Sequence, residues 1–453
     1  MATVRAARGF RDALAVDGAA LMNVEAGFRT LVQLYGFKPV YLPVCERRSL
    51  FDRANGDTVA SKELFALDAT MDEEQLVLRP EGTAGALRAS LHHGGDRIAE
   101  VNKRIMYCGP MFRHERPQAG RFRQFSQFGV EHLNETSPLA DAELIEMAHR
   151  CLVFLGVRDH VTLKINCLGC PAARSSFSEA LTEYLRPIAG ELSERSQERL
   201  ERGHVMRILD SNDKHDIAAL RDAPRLESFI GEASRASFNR ILNILHLLDI
   251  QHEYDHRLVR GLDYYGDTTF EFVAKDRHDC LGKQQMTLLA GGRYNELSLA
   301  IGWRNAVPAV GWAAGLERIV LLQSAIDVSW DLPKIVAPVS KPEVAVVVLS
   351  SHGENLAMAI CRNLRTESLT VVQRFEHTSA QSMFRWASKV GAQVAIVIGE
   401  DEIRDCRVKI KDLTTQRQED VKFDLISVTV VEMLCKINAG DLGKHLKLGS
   451  AGA

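Results

Sequence analysis

The residues with the most chemistry in them lie between Ile105 and Leu133, in the run IMYCGPMFRHERPQAGRFRQFSQFGVEHL. Residues 105–112 are apolar, 113–121 are polar with Pro117 and Gly120 as turn formers, and 122–133 alternate again. That is the pattern of two strands joined by a charged loop. Side chains alternate along a strand, so Arg123, Phe125, Gln127, Gly129, Glu131 and Leu133 share one face. A half-buried strand needs an apolar face, whereas this one carries a cation, a ring, an amide and a carboxylate in order. The loop adds Arg113, Glu115, Arg116 and Arg121. Planar guanidinium groups match phosphate oxygens in bidentate fashion, and a neighbouring ring can stack on a base. Arginines alone would fit a salt-bridged surface hairpin. With Gln127 and Glu131 beside them, they point to a site for a nucleotide and a polar second substrate.

Four further runs carry groups of the same kind. In LVLRPEGTAG (76–85) a strand ends on Glu81, Gly82 and Thr83, where a carboxylate and a hydroxyl can hold an ammonium group; Thr83 would equally cap a following helix. In RLVRGLDYYGDTTFEF (257–272) Arg260 precedes Tyr264 and Tyr265, which face opposite ways in a strand, so one of the two belongs to the core. Gly291 and Gly292 of AGGRY (290–294) permit close approach to a ligand, with Tyr294 as a pocket wall. In AVGWAAGLERIVLL (309–322) a glycine-rich strand enters a helix. Gly311 and Gly315 leave room for a flat ligand, and Glu317 and Arg318 fall in the first helical turn, where backbone N–H groups also point outward.

These runs need a scaffold, and the chain is long enough for one. Its 453 residues predict two or three domains, and 46% hydrophobic with 25% charged residues is ordinary for a globular protein. A net charge of -3 does not mark a nucleic-acid binder, although a local basic surface can dock RNA. There is no apolar run long enough for a membrane span, and the start, MATVRAARGFRD, has no apolar core of a secretory signal. Nine dispersed cysteines favour reduced thiols. Cys167 and Cys170 have CxxC spacing without a second pair nearby, which favours a plain turn over a zinc or redox site; no structural metal is expected.

Periodicity predicts a helix over 19–35, stopped by Gly36, a strand over 37–42, a helix over 138–155 and a strand over 161–165. Residues 171–249 read as a charged helical insertion with no catalytic cluster, and 331–342 as a proline-bearing linker. Strands and helices then alternate over 343–438, predicting a mainly parallel sheet covered by helices, and a disordered tail is expected from 439 to 453. Arg374, Arg404, Arg407, Lys409 and Lys411 are its candidates for RNA contact.

The phrase FRHERPQAGRFRQF resembles motif 2 of the class II aminoacyl-tRNA synthetases, and specifically that of the histidyl-tRNA synthetases. The opening Arg8-Gly9-Phe10-Arg11-Asp12, the helix–Gly–Phe–strand–Pro unit up to Pro43, RGLDYY, AGGRY and AVGWAAGLER resemble further segments of that family in the same order. The resemblance covers nearly the whole chain. It implies an α+β architecture: residues 1–330 as a catalytic domain built on an antiparallel sheet with helices, and 343–438 as an α/β anticodon-binding domain. It implies that Glu81 and Thr83 bind the α-amino group of histidine, with Gly82, Arg113 and Arg260 also against the histidine. Gln127, Glu131, Tyr264, Tyr265 and Tyr294 would form the rest of the histidine pocket, with Glu131 and a tyrosine meeting the imidazole. Arg113 and Arg260 would act at the α-phosphate of ATP, Arg121 and Arg318 at the γ-phosphate, Glu115 on the nucleotide and Phe125 against the base. Mg²⁺ would accompany ATP, tRNA(His) would be the acceptor, and the protein would be a cytoplasmic homodimer, with an additional organellar pool not excluded by the start of the chain. Asn295 stands where the family usually has aspartate, and Gly266-Asp267 replaces a more usual polar and basic pair. A second reading is a catalytically inactive, histidine-sensing regulatory paralogue. The presence of Arg113, Arg260, Arg318 and a domain after Pro342 argues against it.

Overall fold

The computed structural model describes residues 3–55, 63–71, 74–94, 103–115, 121–259, 265–275, 286–326, 342–374 and 379–448. Arg116, Arg260, Tyr264 and nearly all of the expected linker lie outside the described residues. The chain divides into two compact units, Met1–Pro338 and Val339–Ala453. Among the described residues, no helix is long and apolar enough to cross a membrane.

The first unit opens with helix α1 (Val16–Leu34), whose Val24, Phe28, Leu31 and Val32 are buried at helical spacing. Gly36 ends it with φ +79°, a conformation that suits glycine. The strand expected over 37–42 is reduced to β1 (Lys38–Pro39), because Pro39 has no N–H with which to extend a ladder. Strands β2 (Cys45–Arg47), β3 (Phe65–Met71) and β4 (Glu74–Leu78) form a small antiparallel sheet in the order β2-β4-β3. Helix α2 (Thr83–Gly94) follows it. The hairpin read from sequence is present as β5 (Arg104–Phe112) and β6 (Gln124–Leu133). With β7 (Val161–Cys167), β8 (Glu253–Tyr254), β9 (Gly266–Ala274), β10 (Thr287–Arg293) and β11 (Ala309–Gly315) it builds one large sheet, ordered β1-β5-β6-β11-β10-β9-β7-β8. The inner pairs are antiparallel; β1 and β8 join the two edges in parallel.

Alternation splits this sheet into two faces. Met106, Phe128, Val130, Trp312 and Phe270 are buried on one of them, where Phe28 of α1 stacks on Phe128 at 5.0 Å and tilts against Trp312 at 5.7 Å. Gly291 lies within this packing: a Cβ there would strike Gly311 O, Trp312 and the Phe270 ring. The opposite face carries the polar residues. Helix α3 (Pro138–Phe154) starts at Ser137, whose hydroxyl accepts from Leu139 N, with Pro138 in the first turn. Its buried Asp141 takes the Arg293 guanidinium of β10, Nε lying 3.1 and 3.2 Å from the two carboxylate oxygens.

The insertion is helical as expected, with α4 (Pro171–Leu185), α5 (Glu194–Glu201), α6 (Lys214–Ala219) and α7 (Glu232–Leu247). Its charged sequence is organised around buried Asp216, which accepts from Ser193 N at 2.8 Å and from the hydroxyls of Ser193, Ser196 and Ser211 at 2.7, 2.7 and 2.5 Å. Cys167 ends β7 and Cys170 precedes α4; Leu168 and Gly169 between them hydrogen-bond to Asp267.

In the second unit β12 (Val344–Val348), β13 (Val371–Gln373), β14 (Val394–Ile398), β15 (Arg407–Asp412) and β16 (Gln418–Lys422) are ordered β13-β12-β14-β15-β16. Helices α8 (Glu354–Thr366) and α9 (Ala380–Lys389) connect the parallel part. The sheet is mixed, not mainly parallel. β12 is parallel to β13 and β14, but β15 and β16 are antiparallel, since the connections 399–406 and 413–417 are too short for a crossover. The tail also differs from expectation: helix α10 (Ile426–Leu448) runs on through residues 439–448, where Leu442, Lys444, Leu446 and Lys447 are good helix formers.

The Asp141–Arg293 pair is buried on both sides, at 0% and 6% side-chain exposure. Asp141→Ala leaves a buried guanidinium without its carboxylate. It should lower the unfolding free energy of this unit by about 3–5 kcal/mol in urea titrations.

Candidate functional site

Register brings the polar groups of four strands together. Ile105 of β5, Glu131 of β6, Gly311 of β11 and Gly292 of β10 stand in one row; Tyr107, Gly129, Ala313 and Ala290 form the next, and Gly109, Gln127 and Gly315 the one after. Glu131 is fully buried. One carboxylate oxygen accepts from Tyr107 OH at 3.2 Å, the other from Tyr294 OH at 2.5 Å. Burial pushes the Glu131 carboxyl up to about 8, while hydrogen bonds from Tyr294, Thr83 and Tyr107 act the other way. Tyr265 is buried beside it, edge-on to Tyr294 at 6.3 Å.

Glu81 and Thr83 sit at the start of α2. The Glu81 carboxylate accepts from Thr83 N at 2.5 Å and Ala84 N at 3.1 Å, so Glu81 takes the capping role expected of Thr83. The Thr83 hydroxyl lies 3.4 Å from Tyr107 OH. Gly82 N donates to Gln127 Oε1 at 3.3 Å, linking this segment to β6. Burial holds Glu81 above the usual carboxylate range.

The cations gather toward the loop end of the hairpin. Arg113 donates Nε to Pro80 O at 2.9 Å, and its guanidinium lies 5.2 Å from the Phe125 ring centre. Arg121 pairs with buried Glu115. Arg318 donates Nη1 to Thr287 O at 2.6 Å; burial and the nearby Arg113 and Arg121 push its guanidinium down to about 10. Three positive groups so close together suit a polyanion such as a triphosphate. Arg195 of α5 adds its charge near Arg121, a contribution of the insertion that sequence reasoning did not find.

The structure thus brings together Glu81, Gly82, Thr83, Gln127, Glu131, Tyr265 and Tyr294, and beside them Arg113, Glu115, Arg121, Phe125 and Arg318. Arg260 and Tyr264 lie outside the described residues. Three glycine roles change, that of Gly291 because it lies in the aromatic packing of the other face. A Cβ on Gly311 would strike the Glu131 carboxylate, and one on Gly292 would meet Thr268 O and the Tyr265 ring, so both make room for protein groups and not for a ligand. A Cβ on Gly315 would meet only Arg318 carbons, at the ordinary contact distances of 3.9 and 4.0 Å. Glu317 is occupied too, accepting from Ser126 N with both oxygens at 2.8 and 2.9 Å. Tyr107 was missed. Counting by twos along β5 as well as β6 would have found it, since its ring fills the space left by Gly82 and Gly129. In the second unit, Arg404 is paired with Asp401 and Asp405, and Lys409 with Glu402, which takes two of the five basic candidates toward local carboxylates.

Glu131 holds its proton more tightly in the folded chain than in the unfolded one. Its contribution to stability is complete below the ordinary carboxylate range and is lost as pH rises toward about 8. The urea midpoint should therefore fall between pH 5 and pH 8.5, on the order of the range over which a raised carboxyl titrates, and Glu131→Gln should flatten that fall.

The family model described as histidyl-tRNA synthetase matches residues 9–319, and an anticodon binding domain model matches 343–433. The apo structure of Staphylococcus aureus histidyl-tRNA synthetase is 26% identical, with a TM-score of 0.77 over 94% of this chain and 100% of that one. Histidyl-tRNA synthetase from Nostoc sp. PCC 7120 shares the fold at 20% identity and TM-score 0.63, over 95% of this chain and 100% of that one. A Bacillus halodurans protein described as an ATP phosphoribosyltransferase regulatory subunit/histidyl-tRNA synthetase shares it at 20% identity and 0.57, over 83% and 94%. With a family model matched over residues 9–319, a span that takes in the large sheet, the insertion and Arg318, the chain belongs to the histidyl-tRNA synthetase family.

Proposed function

We propose that the protein is a histidine–tRNA ligase, which activates L-histidine with ATP and transfers it to the 3′ end of tRNA(His). The observation that carries this reading is the pairing, on one sheet face, of a buried Glu131 ringed by tyrosine hydroxyls with an Arg113–Arg121–Arg318 cluster. A neutral imidazole offers one donor and one acceptor nitrogen. A carboxylate has about four lone-pair positions, so Glu131 can take a ring N–H in addition to its two tyrosines, and a tyrosine hydroxyl can serve the other nitrogen. The substrate ammonium would lie against Glu81, Thr83 and Gln127.

The histidine carboxylate would then attack the α-phosphorus, giving histidyl-adenylate and pyrophosphate. No side chain is needed as nucleophile. Arg113 and Arg260 would offset charge building at the α-phosphate, while Arg121 and Arg318 hold the terminal phosphates and Glu115 and Phe125 meet the adenosine. Mg²⁺ would arrive on the nucleotide and supply charge neutralisation there, as phosphoryl chemistry requires. The second unit would read the tRNA, and the active form would be a cytoplasmic homodimer, as the family resemblance implies. A regulatory paralogue is less well supported, because Arg113, Arg121 and Arg318 are all retained and a second unit is present.

Histidine-dependent ATP–pyrophosphate exchange tests the reading. Exchange should occur with histidine and fail with other amino acids, and Arg260→Ala should slow it by about 10²–10³. Histidine binding without any exchange would leave the regulatory reading in its place. Tyr107→Phe removes one donor from Glu131 while keeping the ring, and should raise the KM for histidine about tenfold with a smaller effect on the KM for ATP.

A further inference from the structure

Residues Arg8–Arg11 lie outside every role assigned above, yet each of the four touches the base of the arginine-bearing loop or a ring stacked on it. Arg123 N donates to Gly9 O at 2.8 Å, and Arg123 Nη1 to Arg8 O at 3.2 Å. Phe10 packs edge-on to Phe65 at 5.9 Å, and Phe65 in turn packs edge-on to His114 at 5.3 Å. The Arg11 guanidinium lies 4.8 Å from the Phe122 ring centre. The segment turns at Gly9, whose φ of +90° favours glycine.

What these contacts hold is the pair of strand ends that carry the phosphate-side groups. Arg113 N donates to Arg123 O at 2.9 Å, and Arg123 Nε to Glu115 O at 3.1 Å. The Arg123 side chain, which alternation places on the functional face, is thus spent on two main-chain carbonyls, one in the loop and one in the N-terminal segment. His114 N is fixed separately by Glu63 O at 2.7 Å. Beyond Phe112 and before Gln124 the β5–β6 ladder has ended, so these tethers, the Arg113–Pro80 bond, the Arg121–Glu115 pair and the Arg113–Phe125 contact help to position Arg113 and Glu115.

We infer that Arg8–Arg11 is a strap that positions Arg113 and Glu115 for the nucleotide, with Arg123 as the positioning residue that fastens it. The strap itself is a statement about the loop; its effect on ATP rests on the proposed function. Because the strap meets neither Glu131 nor Glu81, its loss should affect the nucleotide and spare histidine.

The test uses the full chain with Phe10→Ala and Arg123→Ala. Hydrogen–deuterium exchange without ligand reads the strap directly: the amides of Arg113, Glu115 and Arg123 should exchange about tenfold faster, while those of Gly129 to Leu133 keep their rates. In the exchange assay, the KM for ATP should rise about tenfold, since small misplacements of a binding group are costly, and the KM for histidine should stay within about twofold. Unchanged amide rates in both variants overturn the strap. A parallel rise of both KM values with a lowered urea midpoint also overturns it, in favour of general destabilisation. If the unaltered protein shows no histidine-dependent exchange, the amide rates still decide the strap, and it is the proposed function that falls.

Discussion

A carboxylate with no solvent exposure is costly unless its oxygens are hydrogen-bonded, and much of this sheet is arranged around meeting that condition for Glu131. Its two hydroxyl partners come from β5 and from the residue just past β10, and neither could reach it past ordinary side chains. Gly311 lies directly opposite Glu131 in the ladder, and any Cβ there would occupy the space of the carboxylate. Gly129 and Gly82 give up theirs to the Tyr107 ring. One ionisable group therefore dictates small residues on β6, β11 and the loop before α2, and large ones at 107 and 294. The raised carboxyl is the residue of that compromise: hydroxyl donors compensate burial in part.

The other end of β6 presents the inverse problem. Arg113, Arg121 and Arg318 repel one another, and in the absence of an anion the chain softens that repulsion with Glu115 and with the face of Phe125. From Phe125 to Glu131 is six residues of extended strand, about 20 Å. An aminoacyl nucleotide laid along the strand would meet acceptors at one end and cations at the other. On the proposed function, specificity and phosphate binding would be spaced by the strand itself, which rigid register holds better than loops could.

Much of this was legible in the sequence because strand alternation is strict. Phe125, Gln127 and Glu131 were placed on one face by counting alone, and the ladder keeps that face without a bulge across β5 and β6. Tyr107 escaped because the first strand reads as simply apolar, and a buried tyrosine looks like core until its neighbour's glycine is noticed. The glycines were read as room for a ligand, since sequence cannot distinguish a space filled by substrate from one filled by Tyr107 or Glu131. The mixed sheet of the second unit escaped for another reason. The alternation of the first three strands with helices was carried on to β15 and β16, but residues 399–406 are too few for a parallel crossover, so β15 returns antiparallel beside β14.

The two places where the chain departs from its family's usual wording are accounted for by its own contacts. Asn295 Oδ1 accepts from Ala309 N at 3.3 Å and Arg293 Nη1 at 3.4 Å. An amide oxygen serves both donors, and Asp141 supplies the charge that Arg293 needs. Gly266 and Asp267 follow directly on Tyr265. A Cβ at Gly266 would strike the Arg174 guanidinium of α4, while Asp267 accepts from the Ser234 hydroxyl of α7 at 2.8 Å and exchanges main-chain bonds with Leu168 and Gly169. The first and last helices of the insertion are therefore both laced to the strand that leaves the tyrosine pair. Gly266 and Asp267 sit at the end of β9 that answers to the insertion, and Asn295 just past β10 bonds Arg293 and Ala309, so the carboxylate pocket around Glu131 keeps its own partners while its flank changes.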